Sequence, residues 1–186
     1  MDKISFQSRI RAISLPQYQD YVQKVGFQNR VSFPWTIKES VLERGAYTTG
    51  VLDCSALGVT DGQKVLLMHL CPTMFVNHDL TRITKYIEKN LAGMNNGELQ
   101  GFLLGSNKTG VDFSGTLFDH LLAFMKNRNI STSYFKGTKC DTHVAYSSVD
   151  DEWVISNVKA DFNKSTMDFI KENFDEHMIS TLDVVV

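Results

Sequence analysis

Hydrophobic and polar residues alternate from residue 45 onward in a way that predicts a buried β-hairpin. Residues 46–59 are typical of a strand, Asp61-Gly62 is a hairpin turn signal, and residues 64–70 form a second strand that is apolar on both faces. A strand of this kind lies inside a sheet or a sandwich. The chain is therefore expected to place this hairpin in its core.

The rest of the chain alternates between helical and strand patterns. Helices are predicted from Pro16 to Gly26, over 80–91, from Ser114 onward and over 165–174. Short buried strands are predicted at 99–104, 130–135, 143–147 and 153–155. This order predicts an α/β domain of the α+β type, with mixed sheets layered like a β-sandwich and flanked by helices.

Length and composition narrow the organisation and the class of partner. A chain of 186 residues with 42% hydrophobic residues is long enough for one well-filled core. We interpret residues 45–157 as the main domain, 1–44 as an N-terminal extension, and 158–186 as a C-terminal extension packed on the same domain.

The formal net charge of -2, without a basic block, argues against nucleic acid as a partner. No apolar run is long enough to span a bilayer, and the N-terminus lacks a signal-peptide core, so we expect a cytoplasmic protein.

The hairpin turn predicts which side chains meet across the two strands. If Asp61-Gly62 forms a type I′ turn, Thr60 faces Gln63 and Cys54 faces His69. Directly opposed Cβ atoms lie about 4.5 to 5.5 Å apart, which brings a thiol and an imidazole together. An imidazole that accepts the thiol proton makes the sulfur a nucleophile. The alternative, that Cys54 and His69 are ordinary core residues, stays open at this point.

The cysteine count bears on metal and redox chemistry. Three cysteines without a C-x-x-C pair argue against a disulfide framework and against a structural zinc site. Cys140 and His143 supply only two candidate metal ligands. We therefore expect free thiols and neither a metal nor a cofactor.

Two segments resemble a known family. The sequences YTTGVLDCSALGV at 47–59 and LLMHLCP at 66–72 are similar to the active-site region of CheD, a bacterial chemoreceptor glutamine deamidase. In that family a threonine precedes the catalytic cysteine by six residues, and a histidine on the next strand is followed closely by proline. Thr48, Cys54 and His69 match these three positions. The resemblance covers about residues 45 to 157 and implies a CheD-like fold.

The same Thr/Cys/His arrangement is shared by the cytotoxic necrotising factors and the Burkholderia lethal factor, toxins that deamidate a glutamine of a host protein. In those toxins a glycine precedes the cysteine, whereas this chain has Leu52-Asp53-Cys54. A backbone N–H near the cysteine is the usual donor to the oxyanion, so this difference bears on the shape of the oxyanion pocket. The glycine-rich stretch that CheD carries after its third strand is here Gly105-Ser106-Asn107-Lys108.

The resemblance implies a hydrolase that converts a protein glutamine to glutamate and releases ammonia. Cys54 would attack the side-chain amide, His69 would act as base, and Thr48 would orient the imidazole. Because six residues of straight strand would separate Thr48 from Cys54 by about 20 Å, the chain must bend, and Gly50 is the residue best able to allow it.

The resemblance implies that the substrate is a protein, either a chemoreceptor or a host protein. In the second case the chain would be a bacterial effector that is delivered into the host cell without a cleavable signal peptide. Two alternatives use the same residues. One is a thiol protease or transglutaminase, and the other is a catalytically inactive protein-binding module.

Overall fold

Two mixed five-stranded sheets pack face to face in the computed structural model, and helices cover their outer faces. The structure describes residues 8–31, 44–74, 80–94, 98–107, 113–161 and 163–179. The result is a layered sandwich in the order helix, sheet, sheet, helices, which confirms the predicted fold class.

The first sheet contains strands from both ends of the domain. Its strands are β1 (Arg9–Ala12), β2 (Arg30–Val31), β3 (Gly45–Val51), β8 (Thr142–Ser147) and β9 (Glu152–Ser156), in the order β1-β9-β8-β3-β2. The central pairs are antiparallel, and the edge strands β1 and β2 pair in parallel with their neighbours. The segment that we interpret as an N-terminal extension therefore supplies both edge strands of this sheet.

The second sheet contains the predicted hairpin. Its strands are β4 (Ser55–Thr60), β5 (Val65–Leu70), β6 (Gln100–Gly105), β7 (Ser131–Lys136) and β10 (Glu176–Met178), in the order β10-β7-β6-β4-β5. Strands β4 and β5 are buried at every position, because one face packs on the first sheet and the other on helices. This agrees with the prediction of a strand that is apolar on both faces.

The described residues form four α-helices, and each lies where a helix is predicted. They are α1 (Leu15–Val25), α2 (Thr81–Leu91), α3 (Phe113–Asn127) and α4 (Thr166–Asn173), with short 3-10 turns at Phe27–Asn29 and Pro72–Met74. Helix α1 packs on the outer face of the first sheet, and α2 and α3 pack on the outer face of the second. Among the helices of the described ranges, none is long and apolar enough to cross a membrane.

The core between the sheets is built around Trp153. The indole is stacked on Phe102 at a centroid distance of 4.7 Å and is 1% exposed. A Cβ atom at Gly58 would lie 2.0 Å from the indole, so only glycine lets β4 pass this ring. The two sheets are thus held together by close aromatic packing.

The predicted single strand at 46–59 is wrong, because this segment forms two strands in two different sheets. β3 ends at Val51 in the first sheet, and β4 begins at Ser55 in the second. The intervening residues 52–54, named here the corner, carry the chain from one sheet to the other. The apolar pattern continues through the corner, and for that reason the periodicity does not reveal it.

The predicted hairpin register is also wrong. Thr60 pairs with Val65, not Gln63, and Ala56 rather than Cys54 lies opposite His69. The loop contains residues 61–64, since the Asp61 carboxylate accepts hydrogen bonds from the amides of Gln63 (3.0 Å) and Lys64 (2.7 Å). This side-chain turn replaces the two-residue type I′ turn.

Candidate active site

Thr48 and the corner are positioned by a bulge in β3. The pairing of β3 with β8 shifts between Thr48 and Val51, and Gly50 adopts a φ of +72° within this irregularity. The Gly50 amide donates to Nδ1 of His143 on β8 at 3.3 Å. Gly50 therefore makes the predicted bend, because its φ lies in the left-handed region that glycine adopts without strain.

The Thr48 side chain bridges the two sheets. Its Oγ1 donates to the carbonyl oxygen of Val31 at 2.8 Å and lies 2.7 Å from Nδ1 of His69. A hydroxyl has a single hydrogen, and a carbonyl oxygen can only accept, so the second contact must be donated by His69 Nδ1. The proton of the neutral imidazole is thus on Nδ1, and the lone pair is on Nε2.

His69 is buried between the sheets, and this keeps it neutral. The residue is 3% exposed, and burial lowers the pKa of its imidazole to about 4. A neutral imidazole with its lone pair on Nε2 is the form that can accept a proton from a thiol.

Cys54 lies on the same face of the second sheet as His69, although the two residues are not directly opposed. Ala56 is the residue opposite His69, and Cys54 is two positions before Ala56. Side chains alternate along a strand, so Cys54 and Ala56 share the face that packs on the first sheet. Cys54 and His69 are therefore diagonal neighbours, a relation with a typical separation of about 7–8 Å.

Cys54 is held in a neutral form by its surroundings. Burial raises the pKa of its thiol to about 12, and the neighbouring Cys71 thiol, Asp53 and Asp141 act in the same direction. The residue is 9% exposed. The site thus consists of a neutral thiol and a neutral imidazole rather than a preformed thiolate and imidazolium.

The corner is fixed by hydrogen bonds to each of its three carbonyl oxygens. The amide of Asn107 donates to Leu52 (3.3 Å), and the amide of Ser106 donates to Cys54 (3.4 Å). The hydroxyl of Ser114, in the first turn of α3, donates to Asp53 at 2.7 Å. The segment after β6 and the start of α3 therefore hold Cys54 in place.

The sequence pattern assigns no such role to Ser114, the residue from which the third helix is predicted to begin. The helix begins one residue earlier, at Phe113, and the hydroxyl of Ser114 reaches the corner instead. Gly105 was noted only for its place in the family pattern, yet its φ is +144° and a Cβ atom there would lie 2.1 Å from the carbonyl oxygen of Cys54. Lys108 lies outside the described residues.

The remaining cysteine-histidine pair, Cys140 and His143, makes hydrogen bonds to other groups. The Cys140 thiol donates to Asn173 Oδ1 at 3.6 Å, and His143 Nδ1 accepts from Gly50. Within the described part of the chain, no three His, Cys, Asp or Glu side chains are grouped so that they could hold a metal ion.

Comparison of the sequence with protein-family models gives no match, and comparison with curated proteins gives none either.

Proposed function

We propose that this protein is a cysteine-dependent protein-glutamine deamidase in which Cys54 is the nucleophile, His69 the base and Thr48 the residue that orients the base. The observation that carries the proposal is the contact of 2.7 Å between Thr48 Oγ1 and His69 Nδ1, with the Thr48 hydrogen directed at Val31. Orientation of a catalytic imidazole by an acceptor on Nδ1 is the arrangement that leaves Nε2 for proton transfer.

The reaction begins with proton transfer from the Cys54 thiol to His69 Nε2. The sulfur attacks the side-chain carbonyl carbon of glutamine, and the resulting tetrahedral intermediate loses ammonia, which takes the proton from the imidazolium. The thioester is then hydrolysed by a water molecule that His69 deprotonates, and glutamate is released. No cofactor enters these steps.

The burial of Cys54 favours a side-chain amide as the substrate over a backbone peptide bond. With Cys54 9% exposed, the sulfur accommodates the slender end of a glutamine side chain more readily than an extended main chain. This favours deamidation over proteolysis. It does not separate water from an amine as the acyl acceptor, which is the difference between a deamidase and a transglutaminase.

A mass-spectrometric search for the substrate tests the proposal. Bacterial lysates rich in chemoreceptors and eukaryotic lysates, as sources of host proteins, are incubated with the wild-type chain or with Cys54→Ala. We expect specific glutamines to become glutamate, a gain of about one dalton, only with the wild type. Cleaved peptide bonds would instead indicate a protease, and incorporated amines a transglutaminase.

A second candidate, a catalytically inactive protein-binding module, is favoured by the neutral and buried state of the Cys54 thiol. In that case Cys54 is a core residue. The wild-type chain and Cys54→Ala would then bind the same partner and leave its glutamines unchanged.

A further inference from the structure

The register of the β4–β5 hairpin, extended by one pair beyond its open end, brings Cys54 opposite Cys71. The last pair of the β4–β5 ladder is Ser55 with Leu70. The next pair outward in the same register is Cys54 with Cys71. Both residues belong to the core between the sheets, and the Cys71 thiol is near enough to Cys54 to contribute to the raised pKa of the Cys54 thiol.

The backbone hydrogen bonds of the hairpin show whether Cys54 and Cys71 form a hydrogen-bonded or a non-hydrogen-bonded pair. The Asp61 amide donates to the Lys64 carbonyl, so Asp61 and Lys64 form a hydrogen-bonded pair at the turn. Pairs alternate along an antiparallel ladder, and counting outward from the turn makes Cys54 and Cys71 a non-hydrogen-bonded pair.

The pairing of β4 with β6, on the side of β4 away from β5, also indicates that Cys54 and Cys71 form a non-hydrogen-bonded pair. The Cys54 carbonyl accepts from Ser106, so the backbone polar groups of Cys54 are directed toward the β6 side and away from β5. In a non-hydrogen-bonded pair the Cα atoms lie about 4.5 Å apart, which is within the range of about 4.4 to 6.8 Å found for disulfides.

The geometry points to an oxidation site: we infer that Cys54 and Cys71 form a reversible disulfide when the protein meets hydrogen peroxide. Both cysteines are largely buried, with exposures of 9% and 7%, but a peroxide molecule is small enough to reach them. The Cys71 sulfur also lies 2.9 Å from Thr73 Oγ1, a hydroxyl that can accept its proton in a hydrogen bond.

Hydrogen peroxide would oxidise the two thiols to the disulfide in two steps. The Cys54 sulfur, deprotonated by His69, attacks one peroxide oxygen, the O–O bond breaks, and the other oxygen leaves as water after it takes the proton. The Cys71 sulfur then attacks the sulfenic acid of Cys54, an S–S bond forms, and the S–O bond breaks. The hydroxyl leaves as a second water with the Cys71 proton. The thiols lose two electrons, and the peroxide gains them.

The consequence for activity rests on the proposed function. If Cys54 is the nucleophile, the disulfide removes it from catalysis, and reduction restores it. Formation of the disulfide requires that the two sulfur atoms can meet and that Cys54 can be deprotonated, but it does not require the deamidase reaction. The two ideas can therefore fail separately.

The test is to treat the wild-type chain with graded hydrogen peroxide, alkylate the remaining thiols in denaturant, and analyse the nonreduced peptides by mass spectrometry. We expect a peptide pair joined through Cys54 and Cys71 that disappears after dithiothreitol, while Cys140 remains alkylated. Cys140→Ser is the matched control and should form the same link. In Cys71→Ser, Cys54 should be found as the sulfinic acid, because no partner thiol resolves the sulfenic acid.

The inference is overturned if Cys54 and Cys71 both carry the alkyl label at peroxide levels that oxidise Cys140, or if the links formed involve Cys140. The wild-type result decides this alone, so it does not depend on the folding of Cys71→Ser. If peroxide forms the Cys54–Cys71 link but the reduced protein has no deamidase activity, the oxidation site is supported and the proposed function is contradicted. Deamidase activity without the link would do the reverse.

Discussion

Thr48 and His69 belong to different sheets, and the contact of 2.7 Å between Thr48 Oγ1 and His69 Nδ1 joins those sheets across the core. The carbonyl oxygen of Val31 determines the direction of this bond, because it takes the only hydrogen of the hydroxyl. The orientation of His69 is thus set by a side chain and a carbonyl group of the opposite sheet.

Thr48→Val should lower the rate of deamidation by about 10-fold or more, since the imidazole loses the acceptor that orients it. The same change leaves the buried Val31 carbonyl and His69 Nδ1 without this partner, which should lower the free energy of unfolding by about 1–3 kcal/mol. Thr48→Ser keeps the hydroxyl and should retain most of the activity. Turnover and urea unfolding measured on the same preparations separate the two effects.

Thr49→Val is the matched control for this variant. Thr49 is half-buried, and its Oγ1 accepts from the exposed Arg30 side chain at 3.1 Å. We expect activity close to that of the wild type. Wild-type turnover by Thr48→Val would show that Thr48 does not orient His69.

The stability of the protein should fall as the pH is lowered from about 6.5 toward 4. The pKa of His69 is about 4 in the folded chain, against an ordinary value of 6.5, so between these values the unfolded chain binds a proton that the folded chain does not. The loss between pH 7 and pH 5 should be about 2 kcal/mol from this residue. Urea unfolding of the wild type and His69→Gln at both pH values measures it. An equal pH dependence in the two proteins would contradict the assignment.

Labelling by iodoacetamide should distinguish an enzyme from an inactive module. If His69 accepts the Cys54 proton, Cys54 should be alkylated faster in the wild type than in His69→Gln. Cys140 serves as the internal control, because its rate should be the same in both proteins. Equal rates of Cys54 labelling in the two proteins at pH 7 would contradict the role of His69 as its base.

Gly105→Ala should displace the corner, because the added Cβ would lie 2.1 Å from the carbonyl oxygen of Cys54, at a φ of +144°. We expect a loss of at least about 1–3 kcal/mol in the free energy of unfolding and a fall in turnover. Gly115→Ala is the matched control, since a Cβ atom there would lie 3.9 Å from Ser106 Oγ, which is an ordinary van der Waals contact. Alanine in this helix should be neutral or stabilising by up to about 1 kcal/mol. Similar changes in stability and turnover in the two variants would show that the close approach of Gly105 to the Cys54 carbonyl does not position the corner.

The sequence predicts the shared face of Cys54 and His69 despite an incorrect register. The Asp61 side chain lengthens the turn by two residues, which moves each residue to a partner two positions further along the other strand. Side chains alternate with a period of two, so this displacement preserves the face of the sheet. The turn itself was not predictable from the Asp-Gly pair alone, because it depends on which backbone amides the carboxylate binds.

Other features leave no periodic signal in the sequence. The edge strand β2 contains only Arg30–Val31, and β10 contains only Glu176–Met178. Such short strands owe their conformation to the neighbour with which they pair. The hydrogen bond from Ser114 to Asp53 joins residues 61 positions apart, and no local pattern indicates it.

Because β3 and β4 lie in different sheets, the geometry of the candidate site is intact only while the two sheets are packed together. A fragment of residues 54–70, which is the β4–β5 hairpin with Cys54 before it, would contain both Cys54 and His69 but would lack the threonine that orients the imidazole. Any partial opening that separates the sheets would break the same contact before either strand unravels. Competence for catalysis should therefore be lost together with global structure in a denaturant titration, with no partially unfolded species that remains active.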